Sequence, residues 1–292
     1  MAYRLKPGSE TVQDGIRRIA AEEFKRIADI LANTEMPGPK QVHEVRKCTK
    51  KLRSLIRLIA PVFAQSTAEN AVLRDAARTL SSARDSSAVL DSLQRLKLPQ
   101  EAASSIEAAL TSHLALTQDA TGSVKLLKSF GRDMRAASKR ATVWKLEAGG
   151  IDAIRPGMRR GYRRLRTDFA AAVRSGEEDA THDWRKSAKN HWHQTLLLGR
   201  ICPDAMDAHA RMASRLSACL GDWRDTGLFI VAVDAFPDGV LEKDTLKAAQ
   251  RAASRDQKRL LKKAQHWSSL LTAEKPKALS ARWTAYWEAG NF

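Results

Sequence analysis

Apolar residues recur along the chain at intervals of three and four, the spacing that places side chains on one face of an α-helix. The run from Val45 to Ile59 is one example. Pro and Gly are concentrated at a few places, and the stretches between them are rich in Ala, Leu, Arg, Lys and Glu, which are good helix formers. The strand-like run 229–233 is too isolated to build a sheet. The pattern therefore predicts an all-α protein.

The clusters of Pro and Gly divide the chain into about nine helical segments. The sequence predicts four in the first half of the chain, four in the second half and one at the C-terminus: 10–34, 39–60, 67–97 and 101–140; then 156–175, 178–201, 206–235 and 240–272; and finally 278–288. Trp283 and Trp287 lie one turn apart in the last segment, which predicts that it packs an apolar edge onto the domain.

An internal repeat relates the two halves. The word His43-x-x-Arg46-Lys47-x-x-Lys50 recurs 139 positions later as His182-x-x-Arg185-Lys186-x-x-Lys189. Two further words keep nearly the same offset, Leu80-x-x-x-Arg84-Asp85 with Leu220-x-x-x-Arg224-Asp225, and Gly15-x-Arg17-Arg18 with Gly157-x-Arg159-Arg160. We expect a duplication with its seam near Gly149, and a pair of four-helix units. These cover residues 1–148 and 149–292, and the second also contains the C-terminal segment.

The chain is strongly basic, with 50 Lys and Arg against 33 Asp and Glu and a formal charge of +17. Such an excess costs self-repulsion in the compact state unless counter-charge is bound, so we expect a polyanionic partner. Nucleic acid, an anionic membrane and polymeric phosphate satisfy this demand equally well, because net charge does not report the shape of the partner.

Three widely spaced cysteines, Cys48, Cys202 and Cys219, suggest neither a disulfide framework nor a thiolate zinc site and are interpreted as core residues. The N-terminus has no apolar signal core, and no stretch approaches the roughly 18 apolar residues of a membrane span. These features predict a cytoplasmic location without membrane association.

The second predicted helix has one almost wholly cationic face. On a helix its basic residues share a sector that lies opposite the apolar one: His43, Arg46, Lys47, Lys50, Arg53 and Arg57. Like charges at these spacings repel by a few tenths of a kcal/mol per pair, so the stripe is unfavourable unless anions bind it. A solvated helix face is the alternative. The second copy repeats the pattern with His182, Arg185, Lys186, Lys189, His193 and Arg200. Leu196 interrupts this stripe, and Trp192 stands where the first copy has Arg53.

A third basic run, 155–166, begins the second half. Met158, Tyr162 and Leu165 give it an apolar face, so it is predicted to be an amphipathic helix with arginines at its flanks. A basic amphipathic helix can lie on a membrane. The apolar residues are also those that a bundle helix needs for its core, and we favour the core.

The chain resembles the CHAD family of helical, histidine-containing domains from about Arg4 to Leu271. The resemblance rests on three motifs: the paired H-x-x-R-K-x-x-K words, the R-D words, and the P-G-x-R-R-x-Y-R-R motif that begins at Pro156. The resemblance implies two pseudo-symmetric bundles, a basic channel that binds inorganic polyphosphate, association with polyphosphate granules, and neither cofactor, metal nor catalysis. The phosphate-binding positions that it implies are His43, Arg46, Lys47, Lys50, His182, Arg185, Lys186 and Lys189, with Arg17, Arg18, Arg159, Arg160, Arg163 and Arg164 as further members.

The chain departs from the family pattern at two places. Ser86-Ser87 follow the first R-D word where an acidic residue is common, and His193 stands where an aromatic is common. The E-x-E-x-K strand of the triphosphate-tunnel domain that many relatives carry is absent. No hydrolase activity is therefore expected from the resemblance.

Two other functions compete with polyphosphate binding. The His182-Asp183 pair resembles that of metal phosphohydrolases, but adjacent helical residues point about 100° apart, and no matching histidine and aspartate accompany it. Non-specific nucleic-acid binding is the serious alternative, because phosphate contacts alone would support it. The tryptophans are spaced along the sequence as core residues would be, and they do not form an exposed surface on which nucleotide bases could stack.

We interpret Arg84-Asp85 and Arg224-Asp225 as structural ion pairs, since an acidic group facing the channel would repel phosphate.

Overall fold

A computed structural model describes residues 3–80, 82–117, 120–237 and 239–290, with the side chains of 82–87, 114–117 and 120–124 excluded. All regular structure in these ranges is helical, which confirms the predicted all-α fold. The helices are α1 (Val12–Ala32), α2 (Gly38–Ile59), α3 (Ser66–Arg78), α4 (Ser82–Arg95), α5 (Gln100–Thr117), α6 (Ala120–Ala141), α7 (Arg155–Ser175), α8 (Glu178–Leu197), α9 (Pro203–Asp234), α10 (Lys243–Leu271) and α11 (Pro276–Ala289).

The sequence divided the first half too coarsely. The predicted segment 67–97 contains α3 and α4, and the predicted segment 101–140 contains α5 and α6. At the end of α3 the Thr79 hydroxyl donates to the Ala76 carbonyl at 2.8 Å, a local bond that competes with continuation of the helix. The second half follows the prediction closely, and the run 229–233 lies inside α9 as expected.

Three apolar cores hold the helices together, and two of them combine both halves of the chain. The first joins α1, α2, α3 and α6 to the N-terminal part of α7, the end of α8 and α11. The second is formed by α4, α5, α9 and α10, and the third by α7, α8, α9 and α10. The two repeats therefore do not pack as separate bodies, because helices of one half complete the cores of the other.

The C-terminal helix α11 belongs to the first core. Trp283 and Trp287 are 1% and 7% exposed, so α11 packs its apolar edge onto the domain as the sequence predicts. Cys48 is buried in the same core, also as expected.

Close contact between α2 and α7 depends on a glycine. A Cβ at Gly157 would lie 1.7 Å from the carbonyl oxygen of Leu58, so only glycine fits where the two backbones meet. The other end of α7 is a glycine cap, in which Gly176 has a φ of 68° and its N–H donates to the Ala172 carbonyl. None of the helices in the described ranges is both long and apolar enough to cross a bilayer.

Candidate anion-binding site

The two helices that carry the basic words, α2 and α8, cross at a buried polar contact. Ser54 on α2 donates to Asn190 Oδ1 on α8 at 3.1 Å, and its hydroxyl also shares a hydrogen bond with His193 Nδ1 at 3.3 Å. Buried polar groups that are hydrogen-bonded in this way specify one arrangement of the helices. The contact thus fixes how the two basic faces lie relative to each other.

Cations of both helices act on a buried ring beside this crossing. Burial, the largest cause, and then the charges of Lys189 and Lys51 hold the pKa of His193 well below its usual value, while a hydrogen bond to the backbone of Lys50 opposes the shift. The helical periodicity predicted His193 on the exposed basic face, whereas the structure buries it at 4% exposure. The structure therefore gives His193 a place in the helix crossing, and we leave it out of the candidate site.

The N-terminal part of the α2 stripe is accessible to solvent. His43 is 49% exposed and lies 4.0 Å from Glu44, and Lys47 pairs with the same carboxylate at 2.9 Å. Arg46 donates from Nη1 to the Ala77 carbonyl in the last turn of α3 at 2.6 Å. A cation is stabilised at this end of a helix, so α3 holds the Arg46 guanidinium in place.

The C-terminal part of the α2 stripe lies beneath α3 and carries poorly solvated charge. Arg53 donates from Nε to Asn70 Oδ1 at 3.1 Å. Burial, and after it the nearby charges of Arg57 and Arg74, lowers the pKa of Arg53 to about 10. Burial also lowers the pKa of Arg57. Lowered arginine pKa values mean that the charged form lacks the solvation or counter-charge that it has in water, which a bound anion would supply.

The α8 stripe begins with a histidine among cations. Burial, Lys186 and Arg185 lower the pKa of His182, in that order, and Arg224 of α9 adds to the effect. Lys186 donates to Asp183 at 2.9 Å. Lys189 lies 4.1 Å from the centroid of the Trp192 ring, a cation–π contact that covers this tryptophan.

Arg224 is a member of the site that the sequence analysis missed. It pairs with Asp225 at 3.5 Å, as the interpretation of the R-D word as an ion pair predicts. It also lies close enough to His182 to lower its pKa, so it adds positive charge to the same region. The recurrence of the R-D word was the signal that could have identified it. The side chains of Arg84 and Asp85, its counterparts in the first half, lie outside the described residues.

Some of the additional arginines that the sequence indicated are bound to protein acceptors. Arg17 donates to the Trp144 carbonyl at 2.8 Å, and Arg18 pairs with Glu10 at 2.7 Å and with Glu22 at 3.0 Å. These contacts anchor α1 to neighbouring segments. The two arginines therefore have a structural role in the absence of a ligand.

On α7, Arg164 pairs with Asp168 on its own helix at 2.7 Å and reaches Asp183 of α8 at 3.4 Å. Arg159, Arg160 and Arg163 are instead exposed. No ion pair links these three to a carboxylate among the described side chains. They are the members of the third basic run that remain open to a ligand.

The titratable groups on the described side chains do not assemble a metal centre. Among the described side chains no three His, Cys, Asp or Glu residues are grouped so that they could hold a metal ion. Two histidines that the sequence analysis did not single out, His191 and His209, are buried with their Nε2 atoms 2.8 Å apart. Burial lowers the pKa of His209 to about 4 and that of His191 well below its usual value, so both are neutral in the fold.

Comparison with known proteins agrees with this architecture. The sequence profile of the CHAD domain matches residues 20–231. The chain belongs to the CHAD domain family. This CHAD protein superimposes on the crystal structure of the CHAD domain from the plant Ricinus communis with a TM-score of 0.57 and 15% identity, over 99% of this chain and 95% of the plant chain. A search of curated proteins gave no match.

Proposed function

We propose that this CHAD protein binds inorganic polyphosphate, without catalysis, in a basic groove formed by α2 and α8. CHAD domains are known in general to bind polyphosphate. The residues that would contact the chain are the cations of the two stripes: His43, Arg46, Lys47, Lys50, Arg53, Arg57, His182, Arg185, Lys186 and Lys189. Arg224 and the exposed arginines of α7 extend the groove.

The observation that carries the proposal is the buried contact of Ser54 with Asn190, at which the two helices that bear the basic stripes cross. A polyanion that lies along this crossing can contact cations of both helices. A linear polyanion with a negative charge on each phosphate could neutralise both stripes at once. Arginine forks give bidentate contacts to phosphate oxygens, and lysine supplies a compact charge, so the mixture suits a repeating anion.

The desolvated charges of Arg53 and Arg57 support the same ligand. Their lowered pKa values mark a part of the α2 stripe where positive charge is poorly solvated. A phosphate chain is thinner than a nucleic-acid duplex and is therefore the better ligand for cations that are half-buried beside α3. Nothing in the proposed binding requires a metal or a nucleophile, and we expect no orthophosphate release from polyphosphate or ATP with magnesium, manganese or zinc present. Sustained release by protein free of contaminating phosphatase would contradict this expectation.

The test is a binding titration of long-chain polyphosphate against the parent protein and Lys50→Gln with Lys189→Gln. We expect parent affinity to fall steeply with salt, because each neutralised phosphate releases counterions, and the double variant to bind more weakly with a shallower slope. The matched control is Lys145→Gln with Lys277→Gln, which removes the same charge from two exposed lysines outside the groove. A salt slope near zero for the parent, or equal losses in both variants, would remove the groove from the mechanism.

A further inference from the structure

The outer surface of α10 carries a straight row of lysines and arginines. Five exposed cations follow one another at successive turns and define what we call the α10 ridge: Lys247, Arg251, Arg255, Lys258 and Lys262. At 100° per residue they share a sector of about 80°, and this sector lies about 180° from the buried residues Ala249, Ala253 and Leu260. The ridge therefore points directly away from the core, and it spans roughly 22 Å at 1.5 Å per residue.

The corresponding last helix of the first half has the same feature. The α6 ridge consists of five exposed cations at the same kind of spacing: Lys125, Lys128, Arg132, Arg135 and Lys139. They lie opposite Phe130, Met134 and Ala137, which are buried in the first core. Neither ridge contributes a residue to the groove between α2 and α8, and the sequence analysis did not identify either one.

Both ridges are electrostatically unfavourable in isolation. Consecutive members are three or four positions apart, where like charges repel by a few tenths of a kcal/mol per pair. No carboxylate among the described residues forms an ion pair with any of the ten cations. Arg259, also on α10, differs from the ridge cations because it pairs with the buried carboxylate of Asp256 and lies outside the sector of the ridge. Each of the two rows lacks a carboxylate partner among the described residues, so each indicates a place where an anionic partner binds.

We propose that the α6 and α10 ridges bind the phosphate backbone of double-stranded nucleic acid without sequence specificity. A straight row of cations about 22 Å long matches the length of roughly six base pairs at 3.4 Å each. A stiff duplex presents phosphates along a broad face that such a row can follow. A thin polyphosphate chain is better held in a concave groove where cations surround it, so the two polyanions occupy different places on the protein.

The chemistry of the ridges disfavours other anionic partners. No aromatic side chain is exposed between Lys125 and Lys139 or between Lys247 and Lys262, so a single strand would find no surface on which to stack its bases. No large apolar side chain is exposed in these two intervals either, whereas a membrane-surface helix inserts such residues below the headgroups. Phosphate contact from outside is the recognition that these side chains support.

The experiment measures binding of a 20-base-pair DNA duplex by the full-length protein over a range of salt concentrations. One variant changes all five α10 ridge residues to Gln, a second changes the five of the α6 ridge, and a third combines both. We expect each five-residue variant to make the slope of log K against log salt shallower by about three to four, at about 0.9 per lost phosphate contact. The combined variant should bind at least tenfold more weakly near physiological salt.

Two controls separate the ridges from net charge and from the groove. A dispersed variant removes five exposed cations elsewhere by substitution with Gln, at Lys145, Arg174, Arg211, Lys275 and Lys277. It should retain the parent slope within about one, since its charges do not form a row. Lys50→Gln with Lys189→Gln should leave duplex binding unchanged, and the ridge variants should bind polyphosphate within about threefold of the parent.

Several outcomes would overturn the proposal. They are equal losses of duplex binding in the ridge and dispersed variants, loss of duplex binding in the groove variant, and no salt-dependent duplex binding by the parent. The last measurement is binding of the parent and the ridge variants to vesicles of phosphatidylglycerol and phosphatidylcholine. If the parent binds these vesicles through the ridges and does not bind the duplex, the partner is a membrane. Failure of polyphosphate binding with intact duplex binding would contradict the groove and leave the ridges supported.

Discussion

Ser54 and His193 contact each other at 3.3 Å across the crossing of α2 and α8, and they are separated by 139 positions, the offset between the two basic words. A residue that contacts its own counterpart lies on the local two-fold axis of a symmetric pair. The duplication inferred from the sequence stays a prediction, with which this contact is compatible. It also places a neutral imidazole where the two basic stripes meet.

The buried histidines make the fold sensitive to acid. The pKa values of His191, His193 and His209 are lowered in the fold, that of His209 to about 4, against about 6.5 in the unfolded chain. Their stabilising contribution is complete above pH 6.5. It is lost as pH falls, because only the unfolded chain then takes up protons. We expect the free energy of unfolding to fall from pH 7 to pH 5, by up to about 1.4 kcal/mol per pH unit for each histidine.

Chemical denaturation at pH 7, 6 and 5 measures this dependence. His209→Gln should reduce the slope of unfolding free energy against pH, whereas His266→Gln, which changes an exposed histidine, should leave it unaltered. A parent whose stability does not change with pH would show that these imidazoles take up protons as readily in the fold as in the unfolded chain.

The close approach of α7 to α2 predicts a large effect of a single methyl group. Gly157→Ala would place a Cβ 1.7 Å from the Leu58 carbonyl oxygen, so the two helices must separate. We expect a loss of about 3 kcal/mol or more in unfolding free energy, since overpacking that moves backbone lies at the high end of such costs. Gly221→Ala is the matched control. No atom lies within 4 Å of its added Cβ, and the change should stabilise α9 by about 0.5–1 kcal/mol. Similar thermal midpoints for both variants would contradict the packing argument.

Arg53 and Arg57 should reveal a conflict between stability and binding. Burial lowers the pKa of both side chains, so their positive charges are poorly solvated in the free protein. We expect Arg53→Gln with Arg57→Gln to leave the melting temperature equal or higher and to weaken polyphosphate binding. Thermal unfolding and binding are measured on the same preparations. A lower melting temperature with unchanged affinity would identify the two residues as structural supports of α3.

Polyphosphate binding should tighten as pH falls from about 8 to about 6, because burial, Lys186 and Arg185 lower the pKa of His182 and so favour its neutral form in the free protein. A bound phosphate chain supplies negative charge, raises the pKa of His182 and so takes up a proton with the ligand. The interior phosphates stay singly charged over this range, so histidine protonation is the main variable. Affinity therefore grows as pH drops through the bound-state pKa.

Calorimetric titration at pH 6, 7 and 8 tests this sign, with His182→Gln and His43→Gln as single and combined variants. His43 is half exposed and begins the α2 stripe. The parent should show the steepest dependence and the combined variant the flattest. An identical pH profile in the parent and the combined variant would exclude histidine charge from binding.

Local information in the sequence was sufficient for the helical class, the two basic stripes and the amphipathic face of α7. The reason is that a helix repeats every 3.6 residues, so apolar and basic positions can be assigned to faces without knowledge of the neighbours. Hydrogen bonds formed by Thr79 were not visible in this periodicity, and α3 and α4 were therefore merged into one segment.

Contacts between distant parts of the chain decided the rest. The shared core of α4, α5, α9 and α10, the burial of His193 and the pairing of His191 with His209 all join residues that are far apart in sequence or on different helices. The sequence pattern of a single helix indicates which face is polar, but it does not indicate which neighbouring helix covers that face. Only the tertiary arrangement could place Arg53 beneath α3, leave the α6 and α10 ridges exposed, and set Lys50 and Lys189 beside one ring, because helix packing and desolvation are properties of the assembled chain.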